Sequence, residues 1–452
     1  MHVILLSGES GKRLWPMTNE TRSRQFIKIV KRQDGVYESM LQRVYRQIKR
    51  VDPEGSITVA TLKSQASELR NQLGEEIDLI VEPRRMGTFP AIAQAAAYLH
   101  DIKNVSAEEA VVVCPIDTYV DDQYYDCLEN MYISAKNGEG KLIIIGIDPT
   151  YPSEKYGYIY PRSDDGQHYY FGFIEKPDKE EAEKLIAQGG LWNGGVFAFK
   201  VGYVLEKARM ILGTDQYAEI HRNYEHLEKL SFDRVVAEKE KEIEVLRYLG
   251  YWRDIGTWNT LTETMSDVIV GKGMMDDSCE NTHLVNELDI PILAMGLKNV
   301  VIAASPSGIL VSDKLYTSEI NRYTGKLTQE IRYAEKSWGE FRVLGVDQNS
   351  LTAQISMKSG AAMSYHSHQN RNEIWTITEG SGVVILDDVE REVTAGDVIE
   401  IRTGSKHTIR AKSVLKLIEV QLGKDISSDD KIKFDRAISS IDQPEESVTK
   451  CQ

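Results

Sequence analysis

The sequence predicts an α/β N-terminal part built on a mostly parallel sheet, a short β-rich connector and an all-β C-terminal part. Three observations carry this. Apolar runs alternate with helical stretches over roughly the first 265 residues. Short β-rich pieces separated by turn residues follow. From Lys336-Ser337-Trp338-Gly339 onward the pattern is β alone until about residue 422. At 452 residues the chain exceeds one hydrophobic core. The expected organisation is 1–265, a connector 266–335, a metal-binding β domain 336–425 and a polar tail 426–452.

The elements justify that division in order. Residues 2–6 (HVILL) form an apolar strand that runs into the glycine-rich turn SGESGKR. Further apolar runs are ITVAT (57–61), IDLIVE (77–82), AVVVCPID (110–117) and KLIIIGID (141–148). Helical stretches such as SMLQRVYRQIKRV (39–51) and PAIAQAAAYLHDI (90–102) lie between them. Strands apolar on both faces, alternating with helices, imply a parallel sheet covered on both sides. Ligands of such sheets sit at the carboxyl ends of the strands. The glycine-rich turn and Asp117 both fall there.

Composition excludes several classes. With 41% hydrophobic and 27% charged residues the chain is ordinary globular protein. A net charge of -15 argues against a general nucleic-acid or anionic-membrane surface, so an anionic ligand needs a local positive site. The four cysteines (Cys114, Cys127, Cys279, Cys451) show no paired spacing and read as reduced thiols. No apolar stretch approaches membrane-spanning length, and the N-terminus lacks a signal-like pattern, so a cytoplasmic location is expected.

The turn Leu6-Ser7-Gly8-Glu9-Ser10-Gly11-Lys12-Arg13-Leu14-Trp15-Pro16 suits an anion: glycines admit backbone N–H groups to phosphates, and Lys12 and Arg13 add charge. It is not a P-loop, because GxxxxGK followed by Ser or Thr is absent. Other pieces align with it in order: RSxQFIKI (22–29), VEP…TFPAIA (81–93), CPID (114–117), YPSEKYGYI (151–159), FIEKP (173–177), LWNGGVFAF (191–199) and WRDIGTWNTL (252–261). Together these resemble the sugar-phosphate nucleotidyltransferases, specifically the mannose-1-phosphate guanylyltransferases of the bifunctional class with a type II phosphomannose isomerase-like domain.

That resemblance implies a Rossmann-like nucleotidyltransferase domain in which a sugar-1-phosphate oxygen attacks the α-phosphorus of GTP, or another NTP, and pyrophosphate leaves. Such chemistry rests on positioning and charge neutralisation. By the same resemblance Arg13, Asp117 and Asp254 are catalytic, with Asp117 and Asp254 as the Mg²⁺ carboxylates. Gly8, Gly11, Lys12, Arg24, Glu82 and Gly87 would surround the nucleotide. Gly157, Glu175, Lys176, Asn193 and Gly194 would surround mannose 1-phosphate or a related sugar phosphate. A homo-oligomer is expected, with neither nucleic acid nor membrane as partner.

Several positions depart from the family pattern. Glu9 replaces a turn glycine and Arg24 a lysine. Met86 and Gly87 stand where an arginine and an asparagine or aspartate are usual. A carboxylate 4 Å from a phosphate charge would be repelled by ~4 kcal/mol at an effective dielectric near 20. Arg24 keeps charge but not shape. Met86 and Gly87 remove a cation and a polar group, which leaves the base and sugar specificity open.

The C-terminal part carries Gly360-x5-His366-x-His368-x4-Glu373-x6-Gly380 and Gly396-x7-Gly404-x2-His407. Histidines at i and i+2 of a strand share a face. His366, His368, Glu373 and His407 would form a three-nitrogen, one-oxygen shell suited to Zn, Fe, Mn or Ni. The spacing resembles the cupin family, a double-sheet β jelly roll. Arg371, Glu373 and Trp375 match part of the isomerase pattern HHHRxEHW, while Gln369, Asn370 and Ile374 stand where it has histidines. Isomerisation of mannose 6-phosphate needs a positioned base besides a metal. No residue of the sequence singles itself out for that role, so an isomerase and a metal-stabilised oligomerisation or regulatory domain both stay open.

Overall fold

Val3, Ile4 and Leu5 are almost wholly buried, so the strand His2–Leu6 lies inside a sheet covered on both faces. In the computed structural model it runs parallel to Ser56–Leu62 and to Ala110–Pro115. Asp78–Glu82 extends the parallel run beyond Ser56–Leu62. On the other side Leu191–Lys200 pairs antiparallel with Ala110–Pro115 and Leu142–Ile147, and Ile243–Tyr248 returns parallel to Leu142–Ile147. Tyr158–Ser163 and Tyr169–Ile174, an antiparallel pair beside Leu191–Lys200, complete a nine-stranded mixed sheet among the described residues. The structure describes residues 1–8, 12–19, 22–138, 140–163, 169–327, 331–424, 426 and 430–434.

The helix Thr88–Asp101 supplies much of the core. Its alanine-rich sequence lets it press close to the sheet, and Phe89, Ile92, Ala93, Ala96 and Leu99 are buried there beside Ile4, Val111 and Ile144. Among the described residues no helix is long and apolar enough to cross a membrane.

The chain divides into two units. The first holds residues 1–285, 293–302 and 311–326, and the second 286–292, 303–310 and 327–452. The expected connector is indeed β-rich, with strands Ile269–Gly271, His283–Asn286, Val300–Ser305 and Gly308–Asp313, and its residues are shared between both units. In the second unit a six-stranded and a five-stranded sheet form the jelly roll around Ile355, Trp375, Ile377, Val384, Ile409 and Leu417. The tail, expected as plain polar chain from residue 426, contributes a strand: Lys431–Lys433 pairs antiparallel with His366–His368. Its alternation of lysine with Ile432 is too short to register as a strand in the sequence.

Met86 and Gly87 need a different account from the one their departures suggested. Met86 is 2% exposed and packs in the main core, so it does not face a ligand. Gly87 caps the helix Thr88–Asp101 with φ of 93°, a backbone that side chains disfavour. A Cβ there would come within 2.3 Å of the Leu230 carbonyl oxygen. That carbonyl accepts from Phe89 N, and Leu230 N donates to the Met86 carbonyl. The two residues are a matched local packing. Met86→Arg should therefore lower stability by roughly 3 kcal/mol or more, because it buries an unpaired charge. Gly87→Asn should also destabilise. Thermal melts check both; variants as stable as the parent chain would contradict this packing.

Candidate functional site

Asp117 follows directly on the strand Ala110–Pro115. The short strand Thr118–Val120 then pairs antiparallel with Trp252–Asp254, setting Asp254 opposite Thr118. Ile255 N donates to the Asp117 carbonyl, which holds the two carboxylates side by side. Arg24, only 7% exposed, is held by a turn whose Gln25 donates to the Ser7 carbonyl. Its guanidinium bonds Asp117 through Nη2 and stands 3.9 Å from Asp254 Oδ1 through Nη1. Asp254 Oδ1 is buried without a hydrogen-bond partner. Burial, then the charge of Asp117, raises the Asp254 pKa, and Arg24 and Arg13 oppose that rise.

These groups border a cavity of about 340 Å³ lined by Gly8, Arg13, Arg24, Glu82, Gly87 and Asp117, among others. Glu82 closes one wall; its Oε2 accepts from Tyr224 Oη at 2.6 Å, and burial raises its pKa. Gly8 backs onto Glu82 and its carbonyl accepts from Arg85 Nε at 2.7 Å. Trp258 Nε1 donates to the Trp15 carbonyl at 3.0 Å, tying the segment after Asp254 to the turn that carries Arg13. Lys12 starts the 3-10 turn Lys12–Leu14. Gly11 and Glu9 lie outside the described residues, so the repulsion argued for Glu9 has no geometry to judge it.

The sugar-side residues also converge. Asn193 N donates to the Gly157 carbonyl at 2.8 Å, and Asn193 Nδ2 donates to Asp233 Oδ1 at 2.9 Å. Glu175 accepts from Lys176 Nζ at 2.6 Å. Burial and then the Asp233 charge raise the Glu175 pKa, and Lys176 opposes them. Gly157 and Gly194 have internal reasons to be glycine. A Cβ on Gly157 would lie 2.7 Å from Glu175 Oε2, and one on Gly194 would lie 3.2 Å from the Ile145 carbonyl. Asp233 escaped sequence reasoning, since it sits 40 residues from Asn193 in a segment without glycine or strand punctuation.

In the second unit His366, His368 and His407 bring ligand atoms within 4.8 Å of one another, all buried. Nδ1 of each faces a backbone carbonyl: Ser364 at 2.7 Å, Asp430 at 2.9 Å and Ser405 at 2.9 Å. A carbonyl only accepts, so each Nδ1 carries a proton, which leaves Nε2 as the ligand atom of each ring in its neutral form. Burial drives the His366 pKa far down, which keeps that ring neutral. His407 Nε2 is buried without a hydrogen-bond partner, although Glu373 Oε2 is 3.3 Å away off the hydrogen-bond direction. Glu373, on the facing sheet, touches His368 Nε2 at 3.2 Å and accepts from Arg371 Nε and Trp375 Nε1. Neutral imidazoles with inward lone pairs fit a divalent transition metal.

Two groups around this centre were not legible in sequence. Glu419 is fully enclosed beside Trp375 and Glu373; burial, then the Glu373 charge, push its pKa up to about 8. Asp430 orients His368 through its carbonyl, and its carboxylate accepts from Gln369 N and Asn370 N at 2.9 and 3.0 Å. Its distance from His368, 62 residues along the chain, hid the connection.

Two outcomes follow from this geometry. Arg24→Gln should tighten, several-fold, the Mn²⁺ site that Asp117→Asn removes, measured by electron paramagnetic resonance without nucleotide; unchanged affinity would mean that Arg24 does not compete with the ion. Asp430→Ala should lower transition-metal affinity at the histidines several-fold: the backbone carbonyl that meets His368 Nδ1 remains, but the carboxylate that anchors Gln369 N and Asn370 N beside His368 is lost. Metal competition titrations check this, and undiminished affinity would contradict it.

Comparison with known proteins agrees with the two-part layout. The nucleotidyl transferase family model matches residues 2–270, and the mannose-6-phosphate isomerase C-terminal model matches residues 324–436. The xanthan biosynthesis protein XanB of Xanthomonas campestris pv. campestris is 29% identical, covering 96% of this chain and 97% of its own. Mannose-1-phosphate guanylyltransferase 2 of Escherichia coli O157:H7 is 25% identical, covering 95% and 96%. A solved structure from Thermus thermophilus, named mannose-1-phosphate geranyltransferase, is 28% identical with a TM-score of 0.61, covering 72% of this chain and 98% of that one. The matched residues span more than half of the sequence, from the first strand through the pair of carboxylates: the chain belongs to the nucleotidyl transferase family.

Proposed function

We propose that the chain makes GDP-mannose: the phosphate oxygen of α-D-mannose 1-phosphate attacks the α-phosphorus of GTP, and pyrophosphate leaves. The observation that carries this reading is the juxtaposition of Asp117 and Asp254 across Arg24, with Asp117, Arg24, Arg13 and Gly8 lining one cavity. Full-length relatives that bear the guanylyltransferase name support it. Arg13 neutralises the phosphates of the nucleotide. Arg24 lies against both carboxylates, where its charge would be available to a phosphate if Asp117 and Asp254 held Mg²⁺. Mg²⁺ held by Asp117 and Asp254 would offset charge on the reacting phosphates. Asn193, Glu175 and Asp233 hydrogen-bond sugar hydroxyls, and Lys176 pairs with the sugar phosphate.

In the second unit His366, His368 and His407, with Glu373 beside them, would hold zinc, iron, manganese or nickel. Interconversion of mannose 6-phosphate and fructose 6-phosphate is the activity proposed there, on the strength of the isomerase-type match and the neutral imidazoles. A homo-oligomer in the cytoplasm belongs to the same reading.

Asp117→Asn tests the transferase. An amide is a poor Mg²⁺ ligand, so pyrophosphate release should fall by orders of magnitude while the melting temperature holds. A folded variant that keeps parental turnover at limiting Mg²⁺ would sink the assignment.

A further inference from the structure

The strand Lys431–Lys433 forms the edge of the five-stranded sheet and lies against His366–His368. Its register sets Lys431 opposite His368 and Lys433 opposite His366. Directly opposed residues of an antiparallel pair project to the same face, as do residues i and i+2 of one strand. Both lysines therefore share the face on which the two imidazoles meet His407. They keep solvent access, and among the described residues neither makes a salt bridge.

More positive charge gathers there. Arg371, next to Glu373, is held on the inner side by Asp430 at 3.7 Å. Lys431 and Lys433, two positions apart on one strand, project to the same side of it. Glu373 and Asp430 answer the charge of Arg371 at 3.0 and 3.7 Å, whereas two ammonium groups at i and i+2 of an exposed strand repel each other unless an anion joins them. In a chain of net charge -15 such a cluster is a local exception.

We propose that Lys431 and Lys433 form an anion site for the phosphomonoester of a sugar phosphate, at the mouth of the three-histidine centre. The site rests on the metal-centre reading for its position, and it stands whether or not the domain isomerises its ligand. A phosphate dianion between two ammonium groups, with its sugar directed inward toward the imidazoles, satisfies the charge. Arg402, Lys406 and Arg410, the other phosphate candidates in the sequence besides Arg371, are not needed for it.

The test is isothermal titration of the full chain with mannose 6-phosphate, and with mannose as the uncharged control. Lys431→Met with Lys433→Met should weaken mannose 6-phosphate at least tenfold and leave mannose unchanged. Lys431→Arg with Lys433→Arg should retain binding, which separates charge from folding. Lys176→Met, in the N-terminal sugar site, should not move this affinity. Parental affinity in the Met pair, or a loss confined to Lys176→Met, would overturn the proposal. Elemental analysis of the same variants keeps the two readings apart. Metal lost from the parent chain would refute the metal centre, whereas metal retained with lysine-independent binding would refute the anion site alone.

Discussion

Two carboxylates that share one site are the constraint around which the N-terminal unit is arranged. Asp117 and Asp254 come from strands that are far apart in sequence and repel each other when both are charged. A two-strand pairing forces them together, and burial makes their repulsion stronger than in water. The arrangement stands only with a cation between them. In the ligand-free chain Arg24 is that cation. Its buried turn, the Gln25 bond to Ser7 and the Trp258 bond to Trp15 all fix where the positive charge sits.

The second unit solves the opposite problem. Its imidazoles must stay neutral and aim their lone pairs at one point. Three backbone carbonyls do this by accepting from Nδ1, each from a different turn or strand end. One of the three belongs to Asp430, so the tail of the chain is part of the centre. The same tail carries Lys431 and Lys433, whose strand lies against His366–His368.

Much of this was legible in the sequence. Apolar runs of four to six residues named the parallel strands, and His366, His368 and His407 announced themselves by spacing. Asp117 was placed by its position after such a run. Other features were hidden for physical reasons. Met86 read as a lost ligand contact, because a sequence does not show that residue 86 packs into the main core or that residue 230 closes on residue 87. Gly157 and Gly194 read as sugar-side glycines, and the structure adds that a Cβ on either would meet Glu175, Phe173 or Ile145. Asp233 and Asp430 act through partners 40 and 62 residues away, a separation no local pattern records.

The central claim is that the carboxylate pair serves guanylyl transfer to mannose 1-phosphate. The most direct measurement is product analysis by ³¹P nuclear magnetic resonance with Mg²⁺, offering GTP, ATP, UTP, CTP and dTTP in turn with mannose 1-phosphate and with glucose 1-phosphate. The account predicts GDP-mannose and pyrophosphate in equal amounts, formed fastest from GTP and mannose 1-phosphate. Faster turnover of another nucleotide or sugar phosphate would contradict the specificity, and no pyrophosphate from any pair would contradict the claim itself.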